Sequence, residues 1–320
     1  MVFILAFAGI SGVNDGGNLI GTYLSSKSLK PLFAVLLLSL SVLAGPFLFG
    51  TQVSHTIAVE IVNFQVVGPR LLAAALAGTV STLGVAWWRS VPTTATLALA
   101  GSMTGAALAD GHLSWIEWGG VLKVALGVVG SVVVGFMVAY LVYRGLRMIM
   151  ARYPKLGFEG GKMQWISIVL QGLVYGANDQ EKVIGLTALL LLAIEHHTGY
   201  YVGWSAIVVP WAAWVAGLLI GGLRIAKTVN GHIVRLNDVV AVSAQLGAAL
   251  TVGGASFGGL PVSSTQTTDG SLFGAGAAVN PYQVRWGTLG RFFRIWVMTL
   301  PLGAAFGGLA MVAARVTGVV

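Results

Sequence analysis

The chain has 320 residues, of which 56% are hydrophobic and only 9% are charged, and its formal net charge at pH 7 is +8. Soluble domains carry about 25% charged residues, so this composition excludes an ordinary soluble protein and indicates a chain embedded in lipid. The 18 basic residues are scattered instead of gathered on one face, which argues against nucleic-acid binding. The chain contains no cysteine, which excludes disulfides and thiol catalysis.

Ten apolar stretches follow one another along the chain, and a membrane-spanning helix needs about 20 such residues. The first and the sixth stretch are interrupted by polar residues. The sequence therefore predicts an all-α polytopic membrane protein with ten transmembrane segments, some of them broken or half helices. In chain order the stretches are 2–25, 31–50, 67–88, 93–109, 115–143, 163–194, 202–223, 239–258, 263–279 and 292–314.

Basic residues are distributed unevenly among the segments between these stretches. Five of them lie in segment 144–162, which the positive-inside rule places in the cytoplasm. With ten crossings, fourteen of the 18 basic residues then fall in cytoplasmic loops. The loops predicted outside contain no lysine or arginine, and they are 51–66, 110–114, 195–201 and 259–262. We expect a plasma-membrane protein with both termini outside.

Two patterns recur in the second half of the chain. The tetrapeptide GVND at 12–15 is matched by GAND at 176–179, a separation of 164, and an Ile-Gly pair follows each. Segment 92–106 shares its Pro, Thr, Gly-Ser and Gly-Ala positions with segment 261–275, at a separation of 169. Each half holds five stretches, an odd number, so the halves must lie in the membrane with opposite orientations, as in secondary transporters.

The sequence thus predicts two inverted repeats, 1–143 and 163–320, joined by a cytoplasmic linker at 144–162.

The Asn-Asp motifs lie inside apolar stretches. An ionised carboxylate at the centre of a bilayer costs about 2.5–3.5 kcal/mol on insertion scales, so Asp15 and Asp179 need compensation. Glycines around both motifs permit an unwound backbone with free carbonyls, and oxygen ligands suit a hard cation such as sodium. The alternative is that both acids only cap helices inside the bundle.

Two hydroxyl-rich segments follow prolines, at 92–96 and 261–266, and each precedes a small-residue helix. Proline, serine and threonine favour helix N-termini, whose unpaired N–H groups attract anions. Two such termini meeting from opposite halves would form a cradle for an oxyanion. The alternative is hydroxyl-mediated helix packing, which is common in membranes.

Two more charged residues lie inside the apolar stretches. Lys182 follows Asp179 by three residues, so it could neutralise that carboxylate, replace a coupling cation or help to hold the anion. Asp269 lies in the ninth stretch and could be protonated or bound to an ion.

The duplicated Gly-x-Asn-Asp motif with its Ile-Gly pair, together with the segment Pro-Val-Ser-Ser-Thr-Gln, resembles the inorganic phosphate transporter (PiT) family. The resemblance implies cation-coupled phosphate symport, with the anion bound between the hydroxyl segments and the Asn-Asp motifs. Carried over by position, and with Lys182 added for its place beside Asp179, the substrate-binding residues are Asn14, Asp15, Asn18, Thr94, Thr96, Asn178, Asp179, Lys182, Ser263, Ser264 and Thr265. The expected coupling-ion residues are Asp15, Asn18, Asp179 and Asp269.

The sequence also departs from the family pattern. Residues 94–97 are Thr-Ala-Thr-Leu, whereas the family that the chain resembles has a pattern similar to Ser-Thr-Thr-His at this place. Glu181 replaces a usual glutamine. Asp269 stands where a small or apolar residue is usual, and a long central hydrophilic loop is missing. These departures leave a related oxyanion such as sulfate open as the substrate.

We therefore expect an importer of inorganic phosphate that works by alternating access and is not an enzyme. Sodium ions or protons are the expected coupling ions, and no enzyme cofactor is expected. The expected partners are phosphate or a related oxyanion, the lipid bilayer and, in one arrangement, a second copy of the chain. The alternatives are a sulfate symporter, a channel, and a magnesium-dependent enzyme that acts on phosphorylated lipids.

Overall fold

The computed structural model describes residues 1–24, 30–49, 53, 68–154, 160–195, 203–229, 233 and 237–318. These residues are almost entirely helical, and none of those described forms a β-strand. The helices are α1 (Val2–Ser11), α2 (Gly17–Leu24), α3 (Pro31–Phe49), α4 (Pro69–Trp88), α5 (Ala95–Ala109), α6 (Trp118–Arg152), α7 (Gly160–Tyr175), α8 (Glu181–Glu195), α9 (Trp204–Gly217), α10 (Leu223–Val229), α11 (Asp238–Phe257), α12 (Ser264–Val279) and α13 (Trp286–Thr317). The prediction of an all-α multi-pass membrane protein is confirmed.

Three π-helical turns join pairs of these helices into longer runs. The turn Gly12–Gly16 joins α1 to α2, Gly176–Gln180 joins α7 to α8, and Leu218–Gly222 joins α9 to α10. The first two turns carry the Asn-Asp motifs. The prediction of an unwound backbone at the motifs is therefore wrong, because a π turn accommodates an extra residue while the chain stays helical.

Seven helical runs in the described residues are long and apolar enough to cross a membrane. Helices α5 and α12 have 15 and 16 residues, which at about 1.5 Å per residue is shorter than the roughly 30 Å hydrocarbon core. These two helices match the predicted half helices. The run α7–α8 carries the second motif, whose charged residues lower its hydropathy. The count of ten crossings stays a prediction.

Some helix boundaries differ from the predicted ones. Helix α6 continues nine residues past Tyr143 to Arg152, because no proline or turn signal interrupts the basic end of this stretch. Segment 144–162, predicted as a linker, is therefore helical up to Arg152 and again from Gly160. Most of the predicted outside loops 51–66 and 195–201 lie outside the described residues.

The packing of the helices repeats when the two halves are exchanged. Helix α5 packs on α13, and its counterpart α12 packs on α6. In the same way, the contact of α4 with α13 corresponds to the contact of α11 with α6. The contact of α3 with α7 corresponds to that of α9 with α1. The largest contacts between the halves therefore come in pairs. This pattern is the one that interleaved repeats produce, while their opposite orientation stays a prediction.

Glycines beside the two motifs allow backbones to approach closely. A Cβ atom added to Gly12 would lie 1.9 Å from the carbonyl oxygen of Trp214, and one added to Gly176 would lie 2.1 Å from that of Val42. No larger residue fits at either place without a shift of the backbone. Small residues are the usual means of close helix packing in membranes. The equivalent contacts hold both motif-bearing runs in equivalent positions.

Candidate functional site

The first Asn-Asp motif meets the start of α12 in the interior of the bundle. The hydroxyl of Thr265 donates a hydrogen bond of 2.6 Å to Oδ1 of Asp15. The Asn18 amide donates one of 3.1 Å to the carbonyl oxygen of Thr265. All three residues are at most 3% exposed. A motif from the first half is therefore bonded directly to a hydroxyl segment from the second half.

The second motif makes the reciprocal contact with the first half. Nζ of Lys182 donates hydrogen bonds to Oγ1 of Thr96 at 2.7 Å and to the carbonyl oxygen of Val262 at 3.0 Å. It also forms a buried ion pair with Asp179, whose second carboxylate oxygen accepts a hydrogen bond from Ser264. The hydroxyl of Thr96 further donates to the Val262 carbonyl at 3.2 Å. Both motifs and both hydroxyl segments thus meet at one junction, which we call the four-segment junction.

Both hydroxyl segments form helix N-termini, as the sequence predicts. Oγ1 of Thr94 accepts a bond of 3.5 Å from the amide of Leu97 at the start of α5. Oγ of Ser263 accepts one of 3.3 Å from the amide of Gln266 at the start of α12. Because these two hydroxyls cap their helices, they fix the helix starts from which Thr96, Ser264 and Thr265 reach the motifs.

The first motif presents several oxygens without partners. Oδ1 of Asn14, Oδ2 of Asp15 and Oδ1 of Asn18 are buried and accept no hydrogen bond from any described residue. We call these three atoms the open oxygens. The amide of Asn14 is fixed by its bonds to the carbonyl oxygens of Ile10 and Leu83, at 3.1 and 3.3 Å. Buried oxygens without a donor are unfavourable, and a hard cation would satisfy them.

At the second motif, the charged groups are already bonded to other groups of the protein. The ammonium group of Lys182 has three donors, and its three hydrogen bonds use all of them. Both carboxylate oxygens of Asp179 have partners. The Asn178 amide donates to Ser256 and to the carbonyl oxygen of Leu260, while its Oδ1 lacks a partner among the described residues. A phosphate oxygen at Lys182 would have to displace one of the three acceptors.

Comparison with known proteins identifies the family. The profile described as the phosphate transporter family matches residues 11–159 and again residues 159–307. The chain belongs to this family. It is 33% identical to a probable low-affinity inorganic phosphate transporter of Rhizobium meliloti (strain 1021), over 97% of this chain and 94% of the relative. It is 31% identical to a protein of the same description in Bacillus subtilis (strain 168), with the same coverage.

A solved structure shares the fold. The structure described as the sodium-dependent phosphate transporter superposes with a TM-score of 0.86 and covers 98% of both chains at 18% identity. This likeness shows the shared fold. The family match and the relatives show that the chain is a multi-pass membrane transporter of the phosphate transporter family and not an enzyme. The lipid-enzyme alternative is accordingly withdrawn.

Asp269 lies at the edge of the four-segment junction. It follows Thr265 by one turn of α12 and is fully buried. Neither carboxylate oxygen has a hydrogen-bond partner among the described residues, and the Asn18 side chain is a polar neighbour. This acid therefore adjoins the open oxygens of the first motif.

Sequence reasoning missed other polar residues near the site. The Tyr175 side chain lies beside Asp15 from the end of α7. Gln164, Ser167 and Gln171 are buried on the same helix. Their spacing of three and four residues places them on one helix face, and this periodicity within an apolar stretch was the available signal.

Proposed function

We propose that this protein is a cation-coupled symporter that imports inorganic phosphate by alternating access and binds the anion at the four-segment junction. The observation that carries the proposal is the pair of cross-half contacts, Asp15 with Thr265 and Lys182 with Thr96. A ligand bound between them would contact both halves. Movement of one half against the other would then expose the ligand alternately on the two sides.

The chemistry of the junction suits a tetrahedral oxyanion. The starts of α5 and α12 supply hydroxyl groups and first-turn N–H groups, and helix N-termini favour anions. These donors are neutral, so they hold an anion without making its release slow. Among the residues predicted from sequence to bind the substrate, we assign the donor contacts to Thr96, Ser264 and Thr265. The amides of Asn14 and Asn178 already donate to protein acceptors, and Thr94 and Ser263 cap the two helices.

The open oxygen of Asp15 favours phosphate over sulfate. The HPO4 dianion carries a proton that it can donate in a hydrogen bond, whereas sulfate carries none at neutral pH. Oδ2 of Asp15 lies outside hydrogen-bond geometry with every described donor, and we assign it as the acceptor of this bond. A buried acceptor left unpaired by sulfate would weaken its binding, since an unsatisfied polar group costs about 1–3 kcal/mol.

Coupling cations are required by the membrane potential. Moving one charge against 100 mV costs about 2.3 kcal/mol, so a dianion costs about 4.6 kcal/mol and needs two or more monovalent cations. We assign one cation, sodium, to the open oxygens of Asn14, Asp15 and Asn18. We assign a second cation site, for sodium or a proton, to Asp269. Lys182 neutralises Asp179 and replaces a mobile cation at the second motif.

The inverted arrangement of the repeats is part of the proposal. The family profile matches once in each half, and the helix contacts exchange in pairs, both of which support an internal duplication. The distribution of basic residues supports a cytoplasmic linker at 144–162, termini outside and insertion in the plasma membrane. The repeats are assigned as 1–143 and 163–320.

Uptake by purified protein in proteoliposomes tests the proposal. Labelled phosphate should accumulate when an inward sodium or proton gradient is imposed, and labelled sulfate should not. Counterflow of labelled against unlabelled phosphate should occur, because a carrier exchanges its ligand and a channel does not. Uptake that ignores every cation gradient would contradict symport, and sulfate uptake at the rate of phosphate would favour the sulfate alternative.

A further inference from the structure

Buried polar residues continue from the four-segment junction towards one end of the bundle. Gln164, Ser167 and Gln171 lie on one face of α7, and each is at most 2% exposed. We define the exit cluster as these three residues with four from neighbouring helices, namely Thr22, Tyr23, Gln245 and Thr268.

The outer part of the exit cluster is held together by side-chain hydrogen bonds. The Gln245 amide donates to Oγ1 of Thr22 at 3.3 Å and to Oε1 of Gln164 at 3.2 Å. The Ser167 hydroxyl donates to Oε1 of Gln245 at 2.6 Å. These bonds join α2, α7 and α11.

The inner part of the cluster reaches the junction. The hydroxyl of Tyr23 donates to Oε1 of Gln171, and the Gln171 amide donates to Oγ1 of Thr268 at 3.2 Å. Thr268 precedes Asp269 and follows Thr265 by three residues, one turn of α12. The polar residues therefore form a continuous series from Gln164 to the proposed anion site.

The exit cluster points to the side predicted to be cytoplasmic. Thr22 and Tyr23 lie at the end of α2, Gln164 lies at the start of α7, and Gln245 lies two turns into α11. The segments adjoining these ends, 25–30, 153–162 and 230–237, are the ones that the distribution of basic residues places inside.

The opposite side of the junction is apolar and buried at four of the six equivalent positions, while Tyr23 corresponds to the buried Thr187 and Ser167 to the exposed Phe3. The repeat separation is 164 residues for the motif-bearing runs and 169 residues for α4–α11 and α5–α12. At these separations the counterparts of Thr22, Gln171, Gln245 and Thr268 are Leu186, Phe7, Leu76 and Leu99. All four counterparts are at most 2% exposed and belong to one apolar cluster.

This difference shows that helix packing does not require the polar residues. The same helix contacts form in the other half with leucine and phenylalanine. Hydrogen bonds between membrane helices contribute little on average, so they bring little stability over good apolar packing. A chemical need is the better explanation, because an oxyanion that leaves the junction through apolar side chains would lose its hydration without replacement.

We propose that the exit cluster is a second, low-affinity oxyanion subsite through which the substrate leaves to the cytoplasm, closed in this structure by its own hydrogen bonds. Amide and hydroxyl groups can exchange their bonds to each other for bonds to the passing anion. None of the seven residues carries a formal charge, so the subsite does not retain the anion. The inference rests on the proposed phosphate transport and on the predicted orientation.

Sided labelling tests the route directly. The chain has no cysteine, so single Gln245→Cys and Leu76→Cys variants need no prior engineering. A membrane-impermeant methanethiosulfonate reagent applied from the cytoplasmic side should label the Gln245→Cys variant, and faster during transport. It should leave the Leu76→Cys variant unlabelled from that side. The reverse pattern, or no cytoplasmic labelling of the Gln245→Cys variant, would overturn the proposal.

A kinetic test replaces Gln245 by leucine, the residue type that occupies the equivalent position, Leu76, in the first half. In Gln245→Leu we expect the maximal rate of phosphate uptake to fall about tenfold, as for a lost hydrogen bond to an ion. Equilibrium phosphate binding by the purified variant should not change, and this binding also shows that the variant is folded. An unchanged maximal rate would contradict the proposal. Absence of uptake by the unaltered chain would refute the proposed function, while the labelling pattern would still decide the route.

Discussion

The two Asn-Asp motifs have the same backbone and different chemistry. Each forms a π-helical turn, and each acid lies beside a hydroxyl from the start of α12. They differ four residues after the asparagine, where the first has Asn18 and the second has Lys182. Asp15 consequently keeps one open oxygen, whereas both oxygens of Asp179 have partners. A duplicated scaffold can therefore hold a mobile cation in one half and a tethered cation in the other.

The largest expected effect on transport comes from substitution at the first motif, which has the open oxygens. Asp15→Asn removes the charge that we assign to cation binding and the acceptor for the phosphate proton, so uptake in proteoliposomes should be abolished. The protein should still fold, since the amide can keep the bond from Thr265. Asp110→Asn makes the same chemical change at the surface, beside Arg315, and should transport normally. Uptake by the Asp15→Asn variant at the rate of the unaltered chain would refute the assignment.

Substitution at the second motif, where both oxygens of Asp179 have partners, should lower the stability of the protein. Lys182→Met leaves Asp179 buried without its cation, and breaking a buried pair typically costs about 3–5 kcal/mol. The matched control is Arg315→Met, which breaks a partly exposed pair with Asp110 and should cost about 1 kcal/mol or less. Thermal unfolding in detergent measures both. Equal losses in the two variants would show that the buried pair has no special role.

The close helix approach that positions the backbone of each motif can also be tested by substitution. In Gly176→Ala the new methyl group meets the carbonyl of Val42, and overpacking of this kind costs about 1–3 kcal/mol. Gly84→Ala places the same group in open space and should be neutral or stabilising by about 0.5–1 kcal/mol, because alanine favours helix. Thermal unfolding compares the two variants. A Gly176→Ala protein as stable as the control would contradict the close approach.

The hydroxyl groups that we assign to anion binding should affect affinity more than stability. Thr265→Ala and Ser264→Ala each remove one hydroxyl donor, so we expect the half-saturating phosphate concentration to rise about fivefold, equivalent to roughly 1 kcal/mol. Ser81→Ala is a suitable control, because that exposed hydroxyl bonds only within α4. Concentration-dependent uptake gives the values. If neither site variant differs from the control, the hydroxyl cradle must be abandoned.

A smaller effect is expected when the second motif is converted to the first. Lys182→Asn gives Asp179 the environment of Asp15, so a mobile cation should be needed where the ammonium group was. At saturating cation we expect uptake to persist, and its dependence on cation concentration should become steeper. An unchanged dependence would argue against Lys182 as a tethered cation.

Much of this account could be predicted from the sequence. The apolar stretches, the repeated motifs and the helix starts at Thr94 and Ser263 are local signals, and the structure follows them. The pairing of Lys182 with Asp179 could be predicted, but its partners Thr96 and Val262 could not, because they are 86 and 80 residues away in the chain. The π turns were not foreseen, since glycines are compatible both with unwinding and with close helix packing. The exit cluster was missed because single glutamines within apolar stretches look isolated until the helices are assembled.

The central claim is that one oxyanion binds where both motifs and both hydroxyl segments meet. Crystals of the protein grown with arsenate, a tetrahedral analogue of phosphate, test it most directly through the anomalous scattering of arsenic. The account predicts one strong arsenic peak close to Asp15, at a position where an arsenate oxygen lies within hydrogen-bond distance of Thr265 or Ser264. An arsenic peak elsewhere in the bundle, with none at the four-segment junction, would contradict it.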